Sequence, residues 1–196
     1  MKAIIRKDCT SDRIDWDEAT ALVRKLYRNG DYKMSLLIGC GIFTCLRISD
    51  LLRLTWNMLL SDDSFTIWEL KTGKKRIIKI NKDFQSHIKK CHDALNISDD
   101  DSFCFLSQKK SVYSTQHVNL LLKRIKKEYN VKCQHFSTHS LRKTGSYAIY
   151  TNSKENAELA LVKLSQMLNH SSVAITRRYL GITQAEIALE FDKLQF

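Results

Sequence analysis

Three short stretches of this 196-residue sequence carry side chains able to move protons or to receive negative charge. They are Thr44-Cys45-Leu46-Arg47-Ile48-Ser49-Asp50, then His139-Ser140-Leu141-Arg142, and finally Leu168-Asn169-His170-Ser171-Ser172 leading to Tyr179-Leu180-Gly181. Arginine is always charged and offers paired donors that match phosphate oxygens, each charged hydrogen bond contributing about 1.5–3 kcal/mol. Arg47 and Arg142 are therefore candidate receivers of negative charge. Histidine titrates close to neutrality, so His139 suits proton transfer. Tyr179 is a candidate nucleophile, but a phenol with a reference pKa near 10 needs roughly 4 kcal/mol to become a phenolate at neutral pH. A base or nearby cations must offset that cost. A lone Arg is usually a surface or salt-bridge residue, and a lone Tyr is usually half-buried in a core. Arg47 departs from that pattern because it follows an apolar helix, where an unpaired charge is costly. Tyr179 departs from it by standing nine residues after His170.

Composition narrows the partner. Lys and Arg number 32 against 21 acidic residues, a net charge of +11, which points to a polyanion and to nucleic acid first. The charge is concentrated: Lys71, Lys74, Lys75, Arg76, Lys79, Lys82, Lys89 and Lys90 face only Asp83 across residues 71–90, and Lys123, Arg124, Lys126 and Lys127 form a second run. Such runs are ordinarily solvated faces unless they flank a phosphate site. No stretch approaches the roughly 20 apolar residues of a membrane span, and MKAIIRKDCT lacks the features of a signal peptide, so a soluble, cytoplasmic protein is expected. The six cysteines (Cys9, Cys40, Cys45, Cys91, Cys104, Cys133) form no CxxC pair, which suits free thiols in a reducing compartment.

The elements that must position these residues read as follows. Proline is absent, so helix ends are read from caps and glycines. Asp15 with Glu18 opens a helix carrying Ala19, Leu22, Val23 and Leu26, ended by Gly30. Residues 34–45 are almost wholly apolar and predict a central buried helix; Ser49 is expected to cap the next one, with Arg47 in the junction. Residues 64–70 and 76–80 predict a hairpin with a basic turn, and Lys71 lies where the first strand is left. Asn81 and Ser114 cap further helices. Helices follow over about 138–150, 155–168 and 172–180, and a capping box at Thr183 and Glu186 opens a last one. The fold class is mainly α with a small antiparallel β-sheet (α+β). With no repeat or linker, the chain reads as a basic arm (1–10), one domain (11–182) and a C-terminal helix (183–196).

The ordered combination of Arg47, Lys71, His139, Arg142, His170 and Tyr179 resembles the catalytic domain of the tyrosine site-specific recombinase (phage-type integrase) family, over essentially the whole chain. The resemblance implies that Tyr179 attacks a DNA phosphodiester to give a covalent 3′-phosphotyrosyl intermediate, in DNA integration, excision or inversion. It implies Arg47 and Arg142 as the cationic receivers, His139 as proton acceptor, Lys71 as proton donor to the leaving 5′-oxygen and His170 as a hydrogen-bond donor beside Tyr179. Lys74, Lys75, Arg76 and Lys143 would contact DNA without reading its sequence. Partners so implied are double-stranded DNA and a homo-tetramer assembled on it, the free protein being a monomer or weak oligomer. The last helix (183–196) would dock on a neighbouring protomer. The family's helical core-binding domain has no counterpart in these residues, which predicts weak, salt-sensitive affinity for one site. Cys45 and Asn169 stand where family members commonly have Gly, which puts local backbone geometry in question.

Other readings are weaker. Cys133-x-His135-x-x-x-His139, and His87 with Cys91 and His92, give no convincing set of four zinc ligands. Adjacent acids at 99–101 point in different directions, unlike a divalent-metal nuclease site, and no Gly-rich ATPase loop is present. No metal or ATP is expected. A type IB topoisomerase and a DNA-binding module that has lost catalysis are the alternatives.

Overall fold

The computed structural model describes residues 12–153 and 156–181. Helix α1 (Trp16–Arg28) is capped by Asp15, whose side chain accepts from the Asp17 and Glu18 amides, and it buries Ala19, Leu22, Val23 and Leu26. Helix α2 (Tyr32–Thr44) is buried along nearly its whole length, as its unbroken apolar sequence requires. The chain leaves α2 through Cys45 in the left-handed region (φ 51°). The short α3 (Ile48–Leu51) begins directly after Arg47, which is extended and makes no side-chain cap. The cap expected at Ser49 is therefore misplaced by two residues: Ser49 lies inside the first turn, and Arg47 is the boundary residue with its guanidinium free to reach elsewhere. Helix α4 (Trp56–Leu60), capped by Thr55, has no counterpart among the elements inferred from sequence.

Strands β1 (Ser64–Trp68) and β2 (Lys75–Lys79) pair antiparallel, with Phe65 opposite Ile78 and Ile67 opposite Arg76. Alternate residues of both strands face inward. Helices α5 (Lys82–Ala94) and α6 (Thr115–Tyr129) are capped by Asn81 and Ser114, each side chain accepting an amide three residues on. Helix α7 (Thr138–Thr151) is opened by a Ser137–Ser140 capping box. Helices α8 (Ala157–Met167) and α9 (Val173–Leu180) complete the described fold, which matches the mainly helical class with one small antiparallel sheet. The basic arm and the helix inferred over 183–196 lie outside the described residues.

Two hydrophobic clusters divide the molecule. The larger joins α1, α2, α4, α5, α6, the hairpin and Leu141 of α7. The smaller holds Cys45, Leu161, Leu164, Leu168 and Leu180, with Tyr147, Tyr150, Met167, Val173 and Tyr179 packed on it. Helix α7 crosses α2 so closely that a β-carbon at Gly145 would overlap the carbonyl oxygen of Ile42, so only glycine fits there. That crossing brings the end of α2 beside the start of α7. No helix among the described residues is long and apolar enough to cross a membrane.

Candidate active site

Arg47 is delivered by the α2–α3 junction. The Thr44 hydroxyl donates to the Cys40 carbonyl (2.6 Å) and accepts from the Leu46 amide (3.3 Å), fixing the turn in which Cys45 is left-handed. From β2, Arg76 donates to the carbonyls of Thr44 (2.6 Å) and Cys45 (3.3 Å), groups that α2 leaves without helical partners. Arg76 is 6% exposed and also pairs with Glu69 at 3.4 Å. Its expected role as a DNA contact is corrected on this ground: it shares the inward face of β2 with Ile78 and is spent on the α2 terminus. Lys74 and Lys75 are exposed at the tip of the hairpin.

Arg47 donates from Nη1 to Glu69 Oε2 at 2.7 Å and from Nη2 to the Leu168 carbonyl at 3.4 Å. Arg142, one helical turn after His139 on α7, donates from Nη2 to the same Leu168 carbonyl at 2.9 Å. Its Nη1 is buried without a partner among the described residues. One backbone oxygen at the end of α8 thus holds both arginines. Beyond it, Asn169 is left-handed (φ 52°) and donates from Nδ2 to Glu69 Oε2 at 3.0 Å. The two positions whose backbone geometry the sequence put in question are both left-handed, Cys45 at φ 51° and Asn169 at φ 52°. Asn tolerates that region through its short polar side chain, whereas Cys carries roughly 1–2 kcal/mol of strain there.

The His170 amide donates to the Ser165 carbonyl (3.0 Å), and its Nδ1 lies 2.9 Å from Thr176 Oγ1. The nine-residue spacing then has a structural reading: His170 precedes the Ser172 cap of α9, and Tyr179 sits in that helix's last turn. Their rings meet edge to face with centroids 5.3 Å apart. The Arg142 guanidinium lies 6.0 Å from the Tyr179 ring centre, and Lys143 Nζ lies 5.6 Å from it. The Tyr179 hydroxyl is buried and has no hydrogen-bond partner among the described residues, His139 included. At the end of α9, Arg13 donates to the Leu180 carbonyl at 3.2 Å.

Electrostatics follow from this crowding of cations. Burial pushes the Tyr179 phenol well above its usual pKa, and Arg142, then Arg47, act against it. Burial and the charges of Arg142 and Arg47 lower His170 to about 4, so it is neutral near pH 7. His139 is lowered by desolvation and then by Arg142, Lys143, Lys71 and Arg47, which favours its neutral form. Lys71, exposed on the hairpin loop, is felt at both histidines. The loop that carries it is set by Asp50, whose Oδ1 accepts from the Leu70 amide at 2.9 Å.

Glu69 is the site residue that the sequence motifs did not identify. Its side chain is fully buried, and its carboxylate accepts from Arg47, Arg76, Thr72 and Asn169. Burial raises its pKa, but the bonds from Asn169, Thr72 and Arg47 outweigh that and lower it. A signal existed: Phe65, Ile67 and Glu69 alternate on one face, which puts an acid in a core-facing slot. Among the described residues no three His, Cys, Asp or Glu side chains gather as a metal site.

Comparison with known proteins agrees with this arrangement. The sequence model of the Phage integrase family matches residues 12–186. A probable integrase/recombinase from Bacillus subtilis (strain 168), YoeC, is 32% identical over 165 residues, covering 83% of this chain and 84% of its own. The crystal structure of XerA recombinase superposes with a TM-score of 0.73 at 19% identity, covering 94% of this chain and 66% of that one. XerH site-specific recombinase, in a post-cleavage complex with palindromic difH substrate, gives 0.68 at 17% identity over 93% of this chain and 53% of its own. A lambda integrase dimer bound to a COC′ core site gives 0.63 at 18%, covering 87% and 48%. At these identities the solved structures carry the fold. The chain spans between about half and two thirds of their length.

Proposed function

Because this chain belongs to the phage integrase family, an enzyme class that cleaves and rejoins DNA, we propose that it is a site-specific tyrosine recombinase whose nucleophile is Tyr179. The observation that carries this reading is the meeting, at one carbonyl, of two arginines from segments 95 residues apart in sequence, beside a buried phenol that His170 packs against. Two converging guanidinium groups suit a phosphodiester.

In the proposed step the Tyr179 oxygen attacks phosphorus and loses its proton to His139. Negative charge grows on the non-bridging oxygens, where Arg47 and Arg142 receive it, and preorganised donors of this kind are each worth about 10²–10³ in rate. The bond from phosphorus to the 5′-oxygen breaks, and Lys71 protonates the leaving oxygen. In the tautomer whose Nδ1 accepts from Thr176, the neutral His170 ring carries its proton on Nε2 and offers it to a phosphate oxygen. The products are a 3′-phosphotyrosyl bond and a free 5′-hydroxyl, and a second attack by a 5′-hydroxyl reverses the chemistry. Lys74 and Lys75, which are exposed, and the half-buried Lys143, whose Nζ lies 5.6 Å from the Tyr179 ring centre, would hold duplex phosphates.

Each protomer offers one Tyr179, whereas exchange between two duplexes breaks four strands. A homo-tetramer on double-stranded DNA follows from that count, with residues 183–196 as the proposed link between neighbours. Deleting 183–196 and finding cleavage and strand exchange both unchanged overturns the link. The central test is a nicked suicide duplex incubated with the protein in EDTA: a denaturant-resistant adduct is expected, and Tyr179→Phe abolishes it. An adduct that survives in the variant sinks the nucleophile assignment. A requirement for magnesium sinks the mechanism.

A further inference from the structure

A carboxylate inside a pocket meant for phosphate weakens that pocket's attraction for its ligand. Glu69 does so at close range: its side chain is fully buried, while the Arg47 side chain it binds is 17% exposed. We infer that Glu69 is a positioning residue for the phosphoryl transfer proposed above, holding the Arg47 fork in register before DNA arrives. Two simpler roles are less well matched to the distances. Neutralising Arg76 alone would place the shorter bond on Arg76, yet Arg47 lies at 2.7 Å and Arg76 at 3.4 Å, and Arg76 has the Thr44 carbonyl at 2.6 Å as its main partner. Steering the Lys71 loop through Thr72 is a second role, but that bond, at 2.9 Å, is shared with Asn169 at 3.0 Å on the same Oε2.

Arg47 stands at a junction between helices, where a long side chain samples many rotamers. Ordering such a side chain costs up to about 2 kcal/mol, and that cost falls on the chemical step if it is not met in the folded protein. Glu69 fixes one guanidinium nitrogen and the Leu168 carbonyl the other. Because Oε2 also takes Asn169, the turn that carries His170 is tied to the same point as Arg47, although 100 residues separate Asn169 from Glu69. One carboxylate thereby sets two phosphate-facing groups from different elements.

The inference rests on Tyr179 forming the covalent adduct, and its test keeps the two separable. Glu69→Gln preserves size and an acceptor oxygen but removes the charge. In single-turnover adduct formation at saturating duplex, a loss of roughly 10–100-fold is expected, with duplex affinity unchanged or slightly tighter. A second duplex carries sulfur in place of the leaving 5′-oxygen, and sulfur departs without a proton. Lys71→Ala should recover on that duplex, whereas Glu69→Gln should remain slow. The double variant Glu69→Gln/Arg76→Gln removes the acid together with the buried arginine that pairs with it; far-ultraviolet circular dichroism checks that it is folded, and it too should remain slow. Wild-type rates for Glu69→Gln, or for the double variant, overturn the inference, the latter by showing that Glu69 only neutralises Arg76. Recovery of Glu69→Gln on the sulfur duplex overturns it as well, in favour of the Lys71 loop. If wild-type protein forms no adduct, it is the proposed function that fails.

Discussion

The half of the molecule that carries Arg47 and Lys71 and the half that carries Tyr179 are anchored in different ways. The first rests on the large cluster in which Trp56, Phe105 and the α2 leucines are almost wholly buried. The second rests on Leu161, Leu164, Leu168, Leu180 and Cys45, with its aromatic residues only partly covered. Among the described residues, polar links between them include the two arginines to the Leu168 carbonyl, Asn169 to Glu69, and Arg13 to the Leu180 carbonyl. Local stability follows the density of buried apolar contacts. On this ground the half with Arg47 is expected to be the more rigid, and the proposed nucleophile, Tyr179, to lie on the element that opens more easily. That division suits the chemistry, since charge stabilisation depends on fixed donors.

Several measurements sharpen or break this contrast. The largest effect is expected at the link itself: Arg142→Ala removes a proposed phosphate donor and one tie to Leu168, and should slow adduct formation about 10²–10³-fold with far-ultraviolet circular dichroism intact. A loss under tenfold would mean that Arg142 is structural. Next, Leu164→Ala in the small cluster should destabilise by about 2–5 kcal/mol. Hydrogen exchange should show that loss concentrated in α8 and α9, with α2 protected as before; uniform loss would erase the division into halves.

Asn169→Gly is a smaller and more specific probe. It relieves the left-handed strain at φ 52° but removes the bond to Glu69, so stability should stay within about 1 kcal/mol while adduct formation drops roughly tenfold. An unchanged rate would show that the link is decorative. The smallest effect is in pH. His170 is held neutral down to about 4, while the unfolded chain takes up that proton near 6.5. As pH falls through this interval the unfolded state binds the proton first, so stability is present above 6.5 and declines toward 4. Chemical denaturation across this range should show a shallower slope for His170→Asn; an equal slope removes His170 from the balance.

Much of the fold was legible before any coordinates. Asp15, Asn81 and Ser114 cap the helices they were expected to cap, because capping is a bond between residues two or three apart. The hairpin was equally local, its strands separated by a short Gly-containing turn. Arg76 was misjudged because it was grouped with Lys74 and Lys75 by charge, when strand alternation places it with Ile78 on the buried face. The parity was available and the composition of the run obscured it. Ser49 misled for a related reason: a good capping residue sits in the first turn of a helix that had already begun after Arg47.

By itself the sequence determined the order and spacing of Arg47, Lys71, His139, Arg142, His170 and Tyr179, and the helices and hairpin that carry them, since these depend on side-chain type and on neighbours a few positions away. Only the tertiary structure decided that the Leu168 carbonyl is shared by two arginines, that Arg76 closes the end of α2, and that Glu69 is buried at the meeting point of four segments. Those bonds join residues as far as 121 positions apart. No local propensity specifies them, because they form only when α7 crosses α2 at Gly145 and packing brings the two clusters into contact.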